Sequence, residues 1–248
     1  MGMNKFPLLI FTLLLFEGCS TPICPEPINP LFATCTNGVK DERETGIDCG
    51  GVCGNACNVK TVSIQPGSEG IDVYISTRNK NANASTYPNV MEAWTNQGSP
   101  FTSMVLLAFT YDALPKTATI KSAYLTLYAD TISNIHPTVS TPKGHSQLSY
   151  SNEWYLKKIT SPWSESSVTW NNQPQVSNAS NMELAASTSR DQAYKIDVTA
   201  FVIDEYTSGN YYGFRLEVKN KIPYNAIAFF SSDGPYPALR PKLIIEYY

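Results

Sequence analysis

The sequence is poor in the residues that supply most catalytic and metal chemistry. It has only two histidines, His136 and His145, and its six cysteines all lie between residues 19 and 57. Neither histidine has the spacing to a serine, cysteine or carboxylate that is typical of a hydrolase. The carboxylate pair of a glycosidase cannot be identified either, because its separation in space is not visible in a sequence. The sequence therefore does not predict an enzyme.

Charge is also scarce, and what there is does not cluster. Charged residues make up 16% of the chain, against a typical quarter or so, and the formal net charge is −3. The 18 basic side chains form no runs, so a nucleic-acid partner is not predicted. Tyrosine, by contrast, is plentiful, with 15 residues. Aromatic and β-branched residues fit a pleated, half-buried surface, so this composition favours an extracellular β-protein.

No stretch of the chain is apolar for the 18 or so residues that a transmembrane helix needs. The longest run, residues 6–16, follows Lys5 and is too short to cross a hydrocarbon core of roughly 30 Å. We therefore expect residues 1–18 to be a signal peptide for export. Gly18-Cys19 then resembles the lipobox of bacterial lipoproteins, so acylated Cys19 would anchor the protein to the membrane at the cell surface. The alternative is an ordinary signal cleaved nearby, which would leave the protein secreted.

Four cysteines are packed into residues 35–57, which read CTNGVKDERETGIDCGGVCGNAC. An exported, cysteine-dense segment is typical of a disulfide framework, because so small a module cannot bury enough apolar area to fold unaided. The four allow three pairings, and the sequence does not choose among them. Cys24 becomes the odd cysteine if Cys19 is acylated. The expected disulfide cysteines are Cys35, Cys49, Cys53 and Cys57.

Metal and redox roles are the alternatives for this module. Zinc sites favour C-x2-C pairs or mixed Cys/His sets, whereas the spacing here is C-x13-C-x3-C-x3-C with no histidine nearby. A redox role would need C-x-x-C beside a βαβ pattern, which is absent. A structural calcium ion stays open as a cofactor, because Asp41, Glu44 and Asp48 could supply oxygen ligands without following EF-hand spacing. Solvated turn carboxylates are the simpler interpretation.

The remaining chain predicts an all-β protein. Residues 19–34 are a Pro-rich spacer, and residues 60–248 carry many short strand signals separated by Gly, Pro, Asn and Ser, which is typical of a sandwich or barrel. One helix of about two turns is expected before Gly209, which would end it. The clearest strand signals are 71–76, 103–110, 119–129, 153–159, 193–198, 212–218, 226–231 and 242–248.

Alternation along the strands separates the two faces of the sheet. It places Tyr124 and Tyr128 on the face opposite the leucines between them, and it places Arg215 outward, opposite its apolar neighbours. Residues 153–159 are ambiguous, with Trp154 expected to face the core. The outward side chains are the first candidates for contact with a ligand.

Several segments resemble a DNRLRE-type domain, also described as carbohydrate-binding module family 96, over roughly residues 61–248. The string that gives the family its name is not intact, but two motifs are present, W-x-E-x-x-V-T-W-N in WSESSVTWNN and the closing R-P-x-L. The resemblance implies a jelly-roll β-sandwich in which Trp163 and Trp170, both inside the first motif, are structural. Residues 130–152, which hold both histidines, look like an insertion.

The resemblance also implies a noncatalytic domain that binds polysaccharide, with acidic seaweed-type glycans among the substrates of the family. Sugar sites combine aromatic faces with planar polar groups, and uronates add a need for Arg or Lys. For each candidate, a purely structural role on the second face or at the edge of the sandwich is the alternative. The candidates are Tyr124, Tyr128, Lys157 and Arg215, if their strands are neighbours, with Trp94 and Tyr87 of the Asn-rich loop 79–98 as a rim.

We therefore expect a surface lipoprotein in which the disulfide module and spacer hold a glycan-binding jelly roll away from the membrane. Two alternatives remain from other classes. The first is a structural or adhesive surface protein that contacts protein partners or assembles with itself. The second is a polysaccharide lyase that uses Tyr and His on the same fold.

Overall fold

The computed structural model describes residues 35–67, 70–83, 88–134 and 143–248. Within them, no helix is both long and apolar enough to cross a membrane. Several predicted features lie outside the described residues: the signal at 1–18, the spacer at 19–34, Cys19, Cys24, Tyr87 and His136.

The described chain is dominated by β-strands. All eight predicted strands are present, so the all-β prediction is confirmed. Four further strands, β1, β3, β6 and β8, were not predicted. The strands are β1 Lys60–Ile64, β2 Ile71–Ser76, β3 Asn89–Asn96, β4 Ser99–Ala108, β5 Ile120–Leu127, β6 Ser146–Gln147, β7 Trp154–Ile159, β8 Val176–Leu184, β9 Tyr194–Asp197, β10 Phe214–Val218, β11 Asn225–Phe229 and β12 Lys242–Tyr247.

Two antiparallel sheets form the predicted jelly-roll β-sandwich. The smaller sheet has the order β1-β12-β5-β9. The larger sheet has the order β6-β11-β3-β4-β10-β7-β8, with β2 also paired to β4. Strands distant in sequence are therefore neighbours in space, and β1 pairs with β12 from Lys60↔Tyr247 to Ile64↔Leu243.

The main core lies between the two sheets. Leu125 and Leu243 of the smaller sheet meet Trp154, Phe214 and Leu216 of the larger one, and each is at most 1% exposed. Full burial of a large apolar side chain stabilises a fold by roughly 1.5–3 kcal/mol. The expectation that Trp154 faces the core is confirmed.

A second apolar cluster covers part of the outer face of the larger sheet. Leu106 and Ile75 lie in it, and the loop after β7 folds over them with Val168 buried in the cluster. Trp163 and Trp170 pack against this cluster, and Trp163 Nε1 donates a hydrogen bond to the Tyr212 carbonyl at 2.8 Å. Both tryptophans are structural, as predicted.

The expected helix is α1, Thr199–Ser208, and it ends at Gly209, whose φ is 72°. Glycine adopts this left-handed conformation without the penalty that a Cβ imposes. Two short 3₁₀ turns, Thr77–Asn79 and Pro237–Leu239, complete the described helical elements.

The cysteine module is a set of tight turns held by two disulfides. One of the three open pairings is present, namely Cys35–Cys53 and Cys49–Cys57. Glu44 Oε2 accepts hydrogen bonds from the backbone N–H of both Asp41 and Asp48, each at 3.1 Å. The Asp48 carboxylate in turn accepts from the Asn37 and Gly38 N–H groups, each at 2.8 Å. Glu44 and Asp48 thus organise local turns.

Candidate functional site

The structure places the predicted ligand-binding residues on two opposite faces of the sandwich. Tyr124 and Tyr128 project from the outer side of the smaller sheet, because the leucines between them enter the core. Arg215 and Lys157 project from the outer side of the larger sheet, since Leu216 and Leu156 point inward. The four residues therefore form two pairs and not one site.

We call the outer side of the smaller sheet around β5 the tyrosine face, formed by Tyr124, Thr126, Tyr128, Lys195 and Lys242. Thr126 is paired in register with Lys242 of β12 on one side and with Lys195 of β9 on the other. Directly opposed residues on neighbouring strands have Cβ atoms about 5 Å apart. Two ammonium groups thus flank Thr126, with one tyrosine two residues before it and one two residues after it.

Each lysine of this face also lies against a tyrosine ring. Lys195 Nζ is 4.6 Å from the ring centroid of Tyr124, and Lys242 Nζ is 6.0 Å from that of Tyr128. The two tyrosines are four residues apart, which is about 13 Å along a strand. An extended polymer could contact both rings, whereas a single sugar ring could not.

The acidic neighbours of the tyrosine face are turned to other partners. Asp197 Oδ1 accepts hydrogen bonds from the Thr199 N–H at 3.0 Å and the Thr199 hydroxyl at 2.6 Å, which lower the pKa of Asp197. Glu246 forms an ion pair with Lys121 at 3.0 Å. Among the described carboxylates, none forms an ion pair with Lys195 or Lys242. Both ammonium groups therefore remain available to an anionic ligand.

A cation cluster occupies the outer side of the larger sheet. Arg215 and Lys157 are paired in register, as their strands β10 and β7 are neighbours. Both contact Glu217, through Lys157 Nζ–Oε1 at 2.7 Å and Arg215 Nε–Oε2 at 3.3 Å. Burial opposes ionisation of Glu217, but Lys221, Arg215 and Lys157 outweigh it and lower its pKa. Because only 14% of the Arg215 side chain and 21% of that of Lys157 are exposed, this cluster offers little surface to a ligand.

The position expected for Trp94 is wrong. Trp94 lies in strand β3, not in a loop, and only 3% of it is exposed. Its ring packs edge-on against Tyr224 with the centroids 5.2 Å apart. A ring that is so nearly buried offers little surface to a sugar. Of the predicted rim, only Tyr87 is untested, because it lies outside the described residues.

Lys195 and Lys242 are the site residues that the sequence did not single out. A signal for them exists, since each alternates with buried residues in its strand, as with Ile196 and Leu243. Alternation shows that a lysine points outward, but it does not show which strand lies beside it. The pairing of β5 with both β9 and β12 was the missing information.

Comparison with known families gives one match that covers well over half of the chain. Residues 64–247 match the model of carbohydrate-binding module family 96. No curated protein matches the chain. The matched range contains the tyrosine face, the cation cluster and the second apolar cluster.

Proposed function

Because the chain belongs to carbohydrate-binding module family 96, we propose that its tyrosine face binds an extended acidic polysaccharide without cleaving it. Carbohydrate binding in general follows from the family. The choice of face and of an acidic glycan comes from the arrangement of charge and aromatic rings on the smaller sheet.

One observation carries the proposal: the row Lys242–Thr126–Lys195, with Tyr124 two residues before Thr126 in β5 and Tyr128 directly after the end of β5. Aromatic rings stack on the apolar C–H patches of sugars, and ammonium groups bind carboxylates or sulfates as point charges. The side chains of the face are half-buried or exposed, so a polymer could lie across them. Among acidic glycans, a polyuronate would present a carboxylate to the lysines at each sugar unit.

A noncatalytic role is supported by the way the nearby acid–base groups are used. Asp197 and Glu246 are engaged by Thr199 and Lys121, as described above. His145 is only 1% exposed, and both of its ring nitrogens have backbone partners, the Gln192 carbonyl at 2.9 Å and the Ala228 N–H at 3.2 Å. A general base has to be free to take the substrate proton, and each of these groups already has hydrogen-bond or ion-pair partners of its own.

We further propose that acylated Cys19 anchors the protein at the bacterial cell surface. The support is the run Gly18-Cys19 directly after the apolar segment 6–16. The spacer 19–34 and the disulfide module would then hold the tyrosine face away from the membrane.

The proposal is tested by affinity electrophoresis of the purified protein in gels containing alginate, a sulfated galactan or a neutral β-glucan. We expect retardation by an acidic glycan that weakens with added salt. Tyr124→Ala should weaken binding by about fivefold, the loss of roughly 1 kcal/mol of stacking. Lys195→Ala should weaken binding to acidic glycans only. Tyr150→Ala and Lys116→Ala, which change exposed residues away from this face, are the matched controls and should bind normally.

Three other results would contradict the proposal. Normal binding by Tyr124→Ala and Lys195→Ala, with loss in Lys221→Ala, would move the site to the cation cluster. If no glycan retards the protein and it instead assembles with itself or a protein partner, the adhesive alternative is favoured. Release of reducing ends or of unsaturated uronate from a glycan would make the protein an enzyme.

A further inference from the structure

Three carboxylates from distant parts of the chain converge at one end of the larger sheet. Asp72 lies in β2, Glu165 in the loop after β7, and Asp233 in the turn after β11. Each offers an oxygen, and these oxygens all lie within 4.8 Å of one another. A cluster of acidic groups is common on protein surfaces, so the surroundings of this one decide what it can do.

The carboxylates are held in place from within the fold. Asp72 is only 1% exposed, and its Oδ1 accepts from Asn89 Nδ2 at 3.0 Å while its Oδ2 accepts from the Ser232 N–H at 2.8 Å. Glu165 Oε1 accepts from the Asp72 N–H at 3.3 Å. These bonds orient the carboxylates toward one another, which is unfavourable unless a positive charge lies among them.

No described side chain supplies that positive charge by direct contact. None of the three carboxylates forms an ion pair with a described lysine or arginine. The nearby Arg240 guanidinium instead donates to the Gly234 carbonyl, at 3.1 and 3.4 Å. Burial together with the Asp72 and Asp233 charges raises the pKa of Glu165 to about 7, which reflects the same mutual repulsion.

The Ser232 hydroxyl is the second, independent indication of a ligand. Ser232 is fully buried, and its hydroxyl lies close enough to the Asp72 carboxylate to favour the ionised form of that group. Its Oγ nevertheless makes no well-formed hydrogen bond with any described group. A buried hydroxyl is normally satisfied, and a cation between the carboxylates would accept its free lone pair.

We propose that Asp72, Glu165, Asp233 and Ser232 form a calcium-binding site. All four ligands are hard oxygen donors. The three carboxylate oxygens lie within 4.8 Å of one another, so one calcium ion, with bonds of about 2.4 Å, could contact all three. Magnesium needs shorter bonds, near 2.1 Å, in a strict octahedron. The ion would join β2, the loop after β7 and the turn after β11 into one rigid unit.

The site is distinct from the carboxylates of the cysteine module, and it does not depend on glycan binding. Glu44 and Asp48 are occupied with backbone N–H groups, as described above. Glu165 is the acidic residue of the W-x-E-x-x-V-T-W-N motif, which gives that position a role besides the packing of the two tryptophans.

The test is calcium titration of the purified protein after stripping with a chelator, followed by calorimetry and by thermal unfolding without glycan. We expect one site with a Kd no weaker than the 10⁻⁴–10⁻³ M typical of extracellular modules, and an unfolding midpoint that rises with calcium. Magnesium at the same concentration should shift the midpoint far less. Glu165→Gln and Asp233→Asn should each weaken calcium binding at least about tenfold, because ligand charge sets affinity.

The variants also separate a metal site from a structural cluster. Without calcium, Glu165→Gln should be at least as stable as the parent protein, because the substitution removes repulsion between carboxylates. Adding calcium should no longer raise the unfolding midpoint of this variant. Ser232→Ala keeps all three carboxylates but removes the hydroxyl ligand, so it should bind calcium more weakly than the parent protein does. Asp41→Asn, in the cysteine module, is the matched control and should bind normally. The proposal is overturned if millimolar calcium neither binds to the stripped protein nor shifts its unfolding midpoint. It is also overturned if Asp41→Asn is the only variant that loses calcium binding.

Discussion

Glu205 and His145 show how single buried polar side chains connect distant parts of the sandwich. Each is only 1% exposed. The Glu205 carboxylate accepts from the Tyr111 hydroxyl and from the Gly213 N–H, both at 2.6 Å. It thereby links helix α1 to the loop after β4 and to the residue preceding β10. An unsatisfied buried partner costs about 1–3 kcal/mol, so these bonds are as important to the fold as the apolar contacts around them.

His145 should make the stability of the protein depend on pH. Burial is the main cause that lowers the pKa of His145 in the folded chain, while in the unfolded chain it should be near 6.5. Below about pH 6.5 the His145 imidazole binds a proton in the unfolded chain, whereas in the folded chain it stays neutral to a lower pH. The contribution of His145 to the free energy of unfolding is therefore complete above that pH. It decreases as the pH falls, by at most about 1.4 kcal/mol per pH unit.

The measurement is urea unfolding of the parent protein and of His145→Gln between about pH 7.5 and pH 5. The raised pKa values of buried Asp72 and Glu205, both caused mainly by burial, give a slope of opposite sign in both proteins. The informative quantity is thus the difference between the two curves. The parent should lose free energy of unfolding relative to the variant as the pH falls. A difference independent of pH would contradict the buried, neutral imidazole.

Among the elements, strands with clear alternation, such as β5, or with an apolar run, such as β11, were predictable, and strand β3, which has neither, was not. β5 alternates, and its buried and half-buried residues follow the predicted faces. β3 has six consecutive buried residues, with Asn89 and Glu92 among them, so it shows neither the alternation nor the apolar run of a typical strand. Its polar residues made segment 89–96 resemble a loop.

The cysteine module is an element whose fold depends on its own cross-links. Its two disulfides span 18 and 8 residues, and each should stabilise it by about 2–3 kcal/mol. We expect reduction to open the module, so that trypsin can cleave the chain at Lys40 and Arg43, which are already exposed but held in tight turns. The cysteine-free sandwich should keep its unfolding midpoint within a few degrees.

Limited proteolysis with mass spectrometry, beside a thermal melt, checks this expectation in the same sample. The unreduced protein is the control and should resist cleavage at both sites. A large drop in the midpoint on reduction would instead show that the sandwich depends on the module. The contact of Gly46 in the module with Tyr248, directly after β12, is one through which the module could stabilise the sandwich.

At the scale of the whole molecule, the two broad faces of the sandwich differ in what covers them. The loop after β7 and the cation cluster occupy much of the outer side of the larger sheet, whereas the side chains of the tyrosine face are half-buried or exposed. The sequence predicted the fold, the outward tyrosines and the structural tryptophans. It could not show that Tyr124 and Arg215 lie on opposite sides, because strand order depends on long-range pairing.

The membrane anchor predicts where the whole protein is found in the cell. If Cys19 is acylated, the protein should partition into detergent, and Cys19→Ser should move it to the aqueous phase. Cys24→Ser is the matched control, since it removes the neighbouring thiol but leaves the attachment residue. Intact mass of the mature protein checks the result directly. A mature N-terminus without acyl mass would contradict the anchor.

The pairing of β1 with β12 has a consequence for how the protein is made. The partner strand of Lys60–Ile64 lies at Lys242–Tyr247, so the smaller sheet cannot close until nearly all of the sandwich has been synthesised. Such non-local pairings fold slowly. The chain would therefore stay unfolded during most of its synthesis, which is the state in which an export channel must thread it. If the chain is exported as proposed, its topology would delay folding until the chain has crossed the membrane.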